Sequence, residues 1–333
     1  MEVICTSYQC LLEETRMTRI QEGYQNNLYT WTPANTSLFW GITLEDGINE
    51  RLGAVKPDVP AALKVGETYL KIICCSCKHH YQAHQMSAVH LSYSPSSLPT
   101  EFSCSNAWPG LIGGISDQGW CSSSWAVSAA SVAGDRTSIG QDSPVVLSSE
   151  ALLACNRRGP VDCASREVDH AWDHLRRQGI WADTCQAGRS LCGSHCQPYR
   201  TLPAYRVGRG NTYGQPRRNE QDIMHELMTQ GPVQAVMEVY TDLFMYGGGI
   251  YQKTNLSSLA GHHAVRIVGW GQEGGVRYWR VANSWGTEWG EEGYFRILRG
   301  ENECLVEEFV LGVWPRQKRT SRRRRTRVQA PNR

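Results

Sequence analysis

The sequence predicts an α+β fold for residues 99–315, with an irregular N-terminal extension over 1–98 and a basic tail over 316–333. Two observations support this division. Segments with helical periodicity come first in the larger region and strand-like segments follow, whereas regular alternation would indicate an α/β fold. The chain has 333 residues. Because that length lies near the upper limit for one hydrophobic core, one large domain with extensions is expected.

Three helices are predicted from periodicity and stop signals. Residues 125–138 are rich in Ala, Ser and Val and suit a buried helix. Residues 167–178 form an amphipathic helix that ends before Gly179, and residues 220–229 form another that ends at Gly231-Pro232. The apolar face of the second helix consists of Val168, Ala171, Trp172 and Leu175.

Strands dominate after the third helix. They are predicted at 233–239, 264–270, 278–283, 294–298 and 308–313. In the extension, one short helix is expected within 41–52. A Ser/Pro-rich stretch at 92–97 is typical of a linker that leads into the domain.

The composition is that of a globular protein with a strongly cationic end. Apolar residues make up 41% and charged residues 20%, which excludes a disordered chain. Residues 316–333 hold nine basic residues and no acidic one, so the remainder carries a formal net charge of −7. This acidic body excludes a histone-like DNA-binding protein. No run of 18 apolar residues occurs, so no transmembrane helix is predicted.

The Arg-rich tail allows several interpretations. By charge alone it could bind heparan sulfate, anionic lipid or nucleic acid, or act as a nuclear address. An unfolded, solvated segment is the alternative. No sequence-specific nucleic-acid partner is predicted.

The 13 cysteines point to an oxidising compartment or to metal binding. Cys74, Cys75 and Cys77 crowd together without a C-x-x-C pair, so a zinc site is disfavoured there. The sequons at Asn35 and Asn255 are candidate glycosylation sites and fit a secreted protein. The first residues show no signal peptide, which we interpret as an altered or truncated N-terminus rather than a cytosolic protein.

Three motifs carry the candidate chemistry. They are D-Q-G-W-C-S-S-S-W at 117–125, G-H-H-A-V-R-I-V-G-W-G at 261–271 and Y-W-R-V-A-N-S-W-G-T-E-W-G at 278–290. Together they resemble the papain family of cysteine peptidases, and cathepsin B most among its active members. The resemblance covers about 215 of the 333 residues. It implies a two-lobed papain-like fold, with a helical lobe near 121–200 and a barrel-like strand lobe near 201–314.

The resemblance also implies a role for each matching residue. Gln118 matches the oxyanion-hole glutamine, and His263 rather than His262 matches the catalytic histidine. Asn283 matches the asparagine that orients the histidine in this Cys-His-Asn variant of the triad, with Trp285 packed beside it in the cleft. The position of the nucleophile is occupied by Ser124.

Serine at this position predicts loss of activity. A helix N-terminus and a nearby imidazolium can ionise a cysteine thiol, but a serine hydroxyl is a far weaker acid that the same field cannot ionise. We therefore expect Ser124 to be inactive. The alternative is a working peptidase in which His263, oriented by Asn283, activates Ser124 as a general base.

The substrate cleft departs from the family pattern at a second place. The family carries C-N-G-G where an extended substrate pairs with the protein, whereas here Cys163 is followed by Ala164, Ser165 and Arg166. Glycine lets another backbone come close. Arg166 would crowd the cleft or offer its charge to another ligand, or else turn to solvent.

The cysteines are assigned by the resemblance. It implies that Cys121 pairs with Cys163, Cys155 with Cys192, and Cys185 with Cys196, while Cys104 and Cys304 stay unassigned. The six residues between Cys185 and Cys192 lack the paired histidines of the cathepsin B occluding loop. Carboxydipeptidase activity is therefore not expected.

Two histidines form the remaining candidate site. His170 and His174 are four residues apart, as in H-E-x-x-H, but Ala171 occupies the position of the general base. An exposed helix face is favoured over a metal site, and no metal or cofactor is predicted for the chain.

Within the family, the tubulointerstitial nephritis antigen-like proteins resemble this chain better than cathepsin B does. They share serine at the nucleophile position, a segment like F-W-G-I-T-L-E-D-G-I-N-E-R-L-G (39–53) and an ending like E-F-V-L-G-V-W (308–314). The resemblance implies a non-proteolytic extracellular protein that binds the matrix or a secreted protein, with a lysosomal location as the alternative. The extension would then be a remnant of a Cys-rich module, with Cys5 and Cys10, and a propeptide-like segment.

Overall fold

The computed structural model describes residues 10–56, 98–155, 163–182, 204–214 and 220–315. Its helices are α1 (Glu14–Gln25), α2 (Leu44–Arg51), α3 (Cys104–Ala107), α4 (Ser124–Gln141), α5 (Ser149–Cys155), α6 (Val168–Arg177) and α7 (Glu220–Gln230). Its strands are β1 (Trp31–Pro33), β2 (Phe102–Ser103), β3 (Val207–Gly214), β4 (Val233–Tyr240), β5 (Tyr246–Tyr251), β6 (Leu259–Glu273), β7 (Val276–Ala282), β8 (Tyr294–Leu298) and β9 (Phe309–Pro315).

The α+β prediction is confirmed. The strands form one mixed sheet in the order β1-β5-β8-β7-β6-β4-β9-β3, with β2 beside β6. All these neighbours are antiparallel except β5 and β8. Helices α4 to α6 form a helical lobe with its own apolar cluster, while a second cluster fills the strand lobe.

Every predicted helix and strand is present in the structure. The elements that were not predicted include a glycine-rich strand and segments that depend on contacts distant in sequence. The helices at 125–138, 167–178, 220–229 and 41–52 correspond to α4, α6, α7 and α2, and the five predicted strands correspond to β4, β6, β7, β8 and β9. Strand β5 contains three consecutive glycines, which obscure any strand pattern, yet it pairs with both β1 and β8.

The extension is more regular than the sequence predicts. Strand β1 of the extension pairs with β5. Four side chains of the extension are buried in the apolar cluster that fills the strand lobe, namely Leu11, Ile20, Trp31 and Phe39. The indole of Trp31 lies 5.3 Å from the ring of Tyr251 and donates to the backbone oxygen of Gln252. These contacts are distant in sequence, so local composition did not reveal them. Residues 56–98 and the tail 316–333 lie almost wholly outside the described part.

Helix α4 is buried almost all round and carries two charged residues in its interior. Asp135 forms an ion pair with Arg266 of β6 at 2.6 Å, and both side chains are almost fully buried. Arg136 forms an ion pair with Glu226 of α7 at 2.6 Å and donates to the carbonyl oxygen of Pro232. Helix α4 is therefore fixed to the sheet by charged hydrogen bonds as well as by apolar packing.

The Asp135–Arg266 pair gives the first testable expectation. Burial raises the pKa of Asp135, and the charge of Arg266 opposes that shift. The variant Arg266→Met would leave a carboxyl group in an apolar site without its partner, so we expect a loss of about 3–5 kcal/mol in the free energy of unfolding, measured with urea.

The matched control is Arg277→Met, because Arg277 pairs with Glu220 on the surface and its side chain is 45% exposed. We expect a loss of at most about 1 kcal/mol there. Equal losses in the two variants would contradict the assignment of the buried pair.

Candidate active site

Ser124 is the first residue of α4 and is completely buried. Its Oγ accepts a hydrogen bond from the backbone N–H of Ala264 at 3.2 Å, and its backbone oxygen accepts from Ser128 Oγ at 2.6 Å. Residue 264 follows His263 in β6. The structure thus places Ser124 beside the strand that carries His263, at the boundary between the two lobes.

His263 and Asn283 meet because β6 and β7 are antiparallel neighbours and Asn283 directly follows β7. His263 Nε2 lies 2.8 Å from Asn283 Oδ1, which also accepts from the backbone N–H of Ser284. Since that oxygen only accepts, Nε2 carries the proton and Nδ1 is left with a lone pair. Nδ1 is buried and has no hydrogen-bond partner among the described residues.

Burial dominates the electrostatics of this histidine. It lowers the pKa of His263 to about 4, although the hydrogen bond to Asn283 partly opposes the shift. The ring of Trp285 lies 5.2 Å from the imidazole and is itself fully buried. His263 is therefore neutral near pH 7, and no imidazolium is present to stabilise an anion at position 124.

Gln118 lies at the same junction. Its amide oxygen accepts from Ser284 Oγ at 2.6 Å, and its Nε2 donates to the backbone oxygens of Cys121 at 2.8 Å and Leu52 at 2.9 Å. An oxyanion hole needs a free donor that points to the reacting carbonyl. Here the Gln118 donor is already occupied by a carbonyl oxygen of the extension.

Residues 49–55 of the extension cover the site, and we call them the cover segment. Gly53 accepts from the backbone N–H of Arg166 at 3.2 Å, and Val55 donates to the backbone oxygen of Arg166 at 3.0 Å. Ala54 donates to the backbone oxygen of His262 at 3.3 Å. The cover segment therefore pairs with both walls of the cleft, and the backbone of Arg166 is used by the chain itself.

The approach is closest at Gly53. Its φ is +141°, and a Cβ there would lie 2.4 Å from the carbonyl carbon of Ser122. Only glycine lets the backbone pass so close to the turn before Ser124. Local sequence does not reveal this close approach, because a glycine after α2 is also typical of an ordinary helix end.

Arg51 binds the start of the cover segment to the papain-like domain. Its guanidinium is buried, pairs with Asp117 at 2.9 Å and lies 4.2 Å from the ring centroid of Trp120. Its backbone oxygen accepts from the indole N–H of Trp285 at 2.7 Å. Trp285 is thus buried beside the histidine–asparagine pair and also binds the backbone of the cover segment.

The disulfide between Cys121 and Cys163 is present, as the resemblance implied. It joins the turn before Ser124 to the segment that contains Ser165 and Arg166. The pairings of Cys155 with Cys192 and of Cys185 with Cys196 involve side chains outside the described part. Cys104 and Cys304 are free and buried.

The expectation that both helix histidines are exposed is wrong for His174. His174 is buried and His170 is partly exposed. His174 follows Ala171 by three residues, so it lies next to the apolar face of α6 that packs on α4. Ligand atoms of Glu167, Asp169 and His170 lie within 4.8 Å of one another at the start of α6, but exposed groups of this kind are common without a metal ion.

Both sequon asparagines are exposed. Asn35 Oδ1 accepts from the indole N–H of Trp40 at 2.9 Å, and Asn255 Oδ1 accepts from the hydroxyl of Tyr29 at 2.9 Å.

Across the described ranges, we find no helix that is long and apolar enough to span a membrane.

The fold and the site together indicate the class of protein to which this chain belongs. Two lobes bring a histidine–asparagine pair and a glutamine to the N-terminus of a buried helix, as in thiol peptidases of the triad type. The family model for the papain family cysteine proteases matches residues 98–314. The chain therefore belongs to the papain family.

Comparison with individual proteins shows which members of the papain family this chain is similar to. A human protein named tubulointerstitial nephritis antigen-like is 36% identical over 360 residues, which cover 94% of this chain and 69% of its own. Human tubulointerstitial nephritis antigen is 33% identical over 93% of this chain and 67% of its own. Cathepsin B-like cysteine proteinase 4 of Caenorhabditis elegans is 33% identical over 66% of this chain and 76% of its own.

Among solved structures, procathepsin B S9 from Trypanosoma congolense has a TM-score of 0.73 and 28% sequence identity, and the match covers 92% of this chain and 99% of that one. Coverage of this extent exceeds the peptidase-like domain alone. The structural similarity therefore continues into the N-terminal extension, which the papain-family model does not include.

The lowered pKa of His263 makes stability depend on pH. Because the unfolded histidine has a pKa near 6.5, it takes up a proton before the folded one does as the pH falls. The stability of the covered form is therefore complete above pH 6.5 and decreases down to pH 4, by about 2 kcal/mol at pH 5 and about 3 kcal/mol in total.

Urea unfolding between pH 7 and pH 4.5 measures this effect. The variant His263→Gln should lose that part of the pH dependence, whereas the control His170→Gln, on the partly exposed side of α6, should keep it. An unchanged pH profile in His263→Gln would refute a neutral buried imidazole.

The close approach at Gly53 gives a second expectation. In Gly53→Ala, the methyl group would collide with the backbone of Ser122, and strain of about 1–3 kcal/mol should open the cover. We expect proteolysis within 49–56 to become roughly 10- to 100-fold faster, followed by mass spectrometry of the released fragments.

Gly114→Ala is the matched control, since a Cβ at Gly114 meets no atom within 4 Å. Its proteolysis should match that of the unmodified protein. Resistance of Gly53→Ala at the same level would show that the cover tolerates the displacement.

Proposed function

We propose that this chain is a papain-family homologue without peptidase activity that acts outside the cell as a binding protein. The observation that carries the proposal is the state of the nucleophile position. A serine hydroxyl stands there, engaged with the backbone N–H of Ala264, beside a neutral histidine and beneath the cover segment. Similarity to the tubulointerstitial nephritis antigen-like proteins supports the same conclusion.

The chemistry gives the first reason. Typical thiol peptidases use a preformed thiolate, whose pKa is reduced from about 8.5 to about 3–4 by the helix end and an imidazolium. That shift corresponds to roughly 6–7 kcal/mol in favour of the ion pair. Ser124 has no comparable acidity. His263 would have to remove its proton during the attack itself, as a general base.

Occupancy of the cleft gives a second, independent reason. A substrate carbonyl would compete with Leu52 for Gln118, and an extended peptide would compete with Gly53 and Val55 for Arg166. The cover segment is part of the same chain, so its effective concentration is high and a free peptide competes poorly. A ligand is therefore expected to contact the outer surface of the protein.

The proposed partners are an extracellular matrix component or a secreted protein. The Arg-rich tail 316–333 offers a site for heparan sulfate, since clustered arginines bind sulfate groups through charge and paired hydrogen bonds. Asn35 and Asn255 are the proposed glycosylation sites. A lysosomal location is the alternative to secretion.

A serine-dependent peptidase is the second candidate. The observation that favours it is the free lone pair on His263 Nδ1, with Nε2 oriented by Asn283, because this is the tautomer a general base needs. The nucleophile, base and orienting residue would then be Ser124, His263 and Asn283.

The two candidates are separated by a peptide-library assay. We expect no turnover above that of Ser124→Ala for the unmodified protein. Ser124→Cys should react slowly with a thiol-reactive epoxide because the cover hides position 124, and the double variant Ser124→Cys/Gly53→Ala should react at least about tenfold faster. Peptide turnover should remain low until Ser165 and Arg166 are also replaced by glycine.

Each result has a defined meaning. Cleavage by the unmodified protein that Ser124→Ala abolishes would establish the serine peptidase. Fast epoxide labelling of Ser124→Cys with the cover intact would remove occupancy of the cleft as a reason for inactivity.

A further inference from the structure

Trp40 is an exposed aromatic residue that precedes the cover segment in the chain. It lies between β1 and α2 with 52% of its surface exposed, although a side chain of this size is usually mostly buried. Its indole N–H donates to Asn35 Oδ1 at 2.9 Å. Asn35 begins the sequon Asn35-Thr36-Ser37. An indole ring is thus fixed beside the amide that the sequon marks for modification.

We propose that Asn35 carries an N-linked glycan whose first sugar packs on the indole of Trp40 and thereby holds the cover segment closed. In this modification Asn35 Nδ2 forms a bond to the anomeric carbon of an oligosaccharide supplied by a lipid-linked diphosphate donor. The bond from that carbon to the diphosphate oxygen breaks, the lipid diphosphate leaves, and one amide proton passes to a base of the transferase.

The hydrogen bond between Trp40 and Asn35 is compatible with the modified amide. Only the oxygen of Asn35 takes part in it, while Nδ2 has no hydrogen bond in the described part of the chain. Glycosylation substitutes Nδ2 and leaves the amide oxygen in place, so the same bond orients the attached sugar. The apolar face of a sugar ring can then cover the exposed indole, and burial of aromatic surface is favourable.

The residue next to Trp40 links this region to the cover segment. Phe39 is buried and packs edge-on against Trp285 at 5.8 Å, and Trp285 binds the backbone of Arg51. Thr36 Oγ1 donates to the backbone oxygen of Glu288 at 3.2 Å. Residues 35–40 are therefore attached to the strand lobe at the point where the chain turns toward α2, and added contacts at Trp40 stabilise that attachment.

The second sequon provides a built-in comparison. Asn255 Oδ1 accepts from the hydroxyl of Tyr29, whose ring packs against Gly23 of α1. Among the described residues this is the one hydrogen bond of the Asn255 side chain, and its partner Tyr29 packs on α1 rather than on the cover segment. A glycan at Asn255 should therefore leave the cover unaffected.

The test uses the full chain, secreted behind an added signal sequence from cells that make high-mannose glycans, with Ser124→Cys as a reporter of opening. The measured quantity is the rate at which iodoacetamide labels position 124, followed at the peptide level. Ser37→Ala removes the sequon but keeps Asn35 and its hydrogen bond. Ser37→Thr keeps the sequon and is its matched control.

We expect a glycan on Asn35 by mass spectrometry and labelling that is roughly 3- to 10-fold faster in Ser37→Ala than in Ser37→Thr. Trimming with an endoglycosidase that leaves only the first sugar should not change the rate. In a Trp40→Ala background, Ser37→Ala should have no further effect. Ser257→Ala, which removes the Asn255 sequon, should label at the unmodified rate.

Three results would overturn the proposal. They are an unmodified Asn35, equal labelling rates in Ser37→Ala and Ser37→Thr, and an effect of Ser37→Ala that persists in Trp40→Ala. Because labelling does not require peptide hydrolysis, the outcome is independent of whether the unmodified protein proves to be a peptidase.

Discussion

The position of helix α4 relative to β6 depends on the buried pair between Asp135 and Arg266. Arg266 also donates to the backbone oxygens of Gly113 and Gly114, and Gly113 donates to Asp135, so both charges are surrounded by hydrogen bonds. Ser124 begins the same helix, and His263 lies three residues before Arg266 in the same strand. A shift of this pair would therefore separate the nucleophile position from the histidine. Loss of one partner is costly because the other charge stays buried.

The cover segment lies against the site that this frame holds together, where Ala54 donates to the backbone oxygen of His262. Burial lowers the pKa of the neighbouring His263 to about 4, so its imidazole is neutral near pH 7. The same segment supplies the oxygen that occupies Gln118. The proposed exclusion of a substrate thus rests on contacts that the cover segment makes with Gln118 and Arg166. A complete set of catalytic positions is therefore not evidence for catalysis in this chain.

Two different physical limits support the proposed inactivity of this site, and they are separable. Replacement of a thiol by a hydroxyl removes the acidity on which thiolate chemistry depends, and this limit would hold in an open cleft as well. Coverage by the extension restricts access, and this limit would hold for a cysteine as well. The extension is fixed by apolar packing of Trp31 and Phe39 in the strand lobe. The cover is therefore a part of the folded protein rather than a loosely attached segment.

The sequence by itself determined the family, the α+β class and the identity of the residues at the site. Long motifs with fixed spacing specify which side chains meet, so Ser124, His263 and Asn283 could be named without coordinates. Only the tertiary structure decided where the extension lies, because pairing of β1 with β5 and of Val55 with Arg166 joins residues more than 100 positions apart. It also decided the burial of His174 and the role of Trp285. Both depend on which neighbours pack against a residue, and local sequence carries no information on such neighbours.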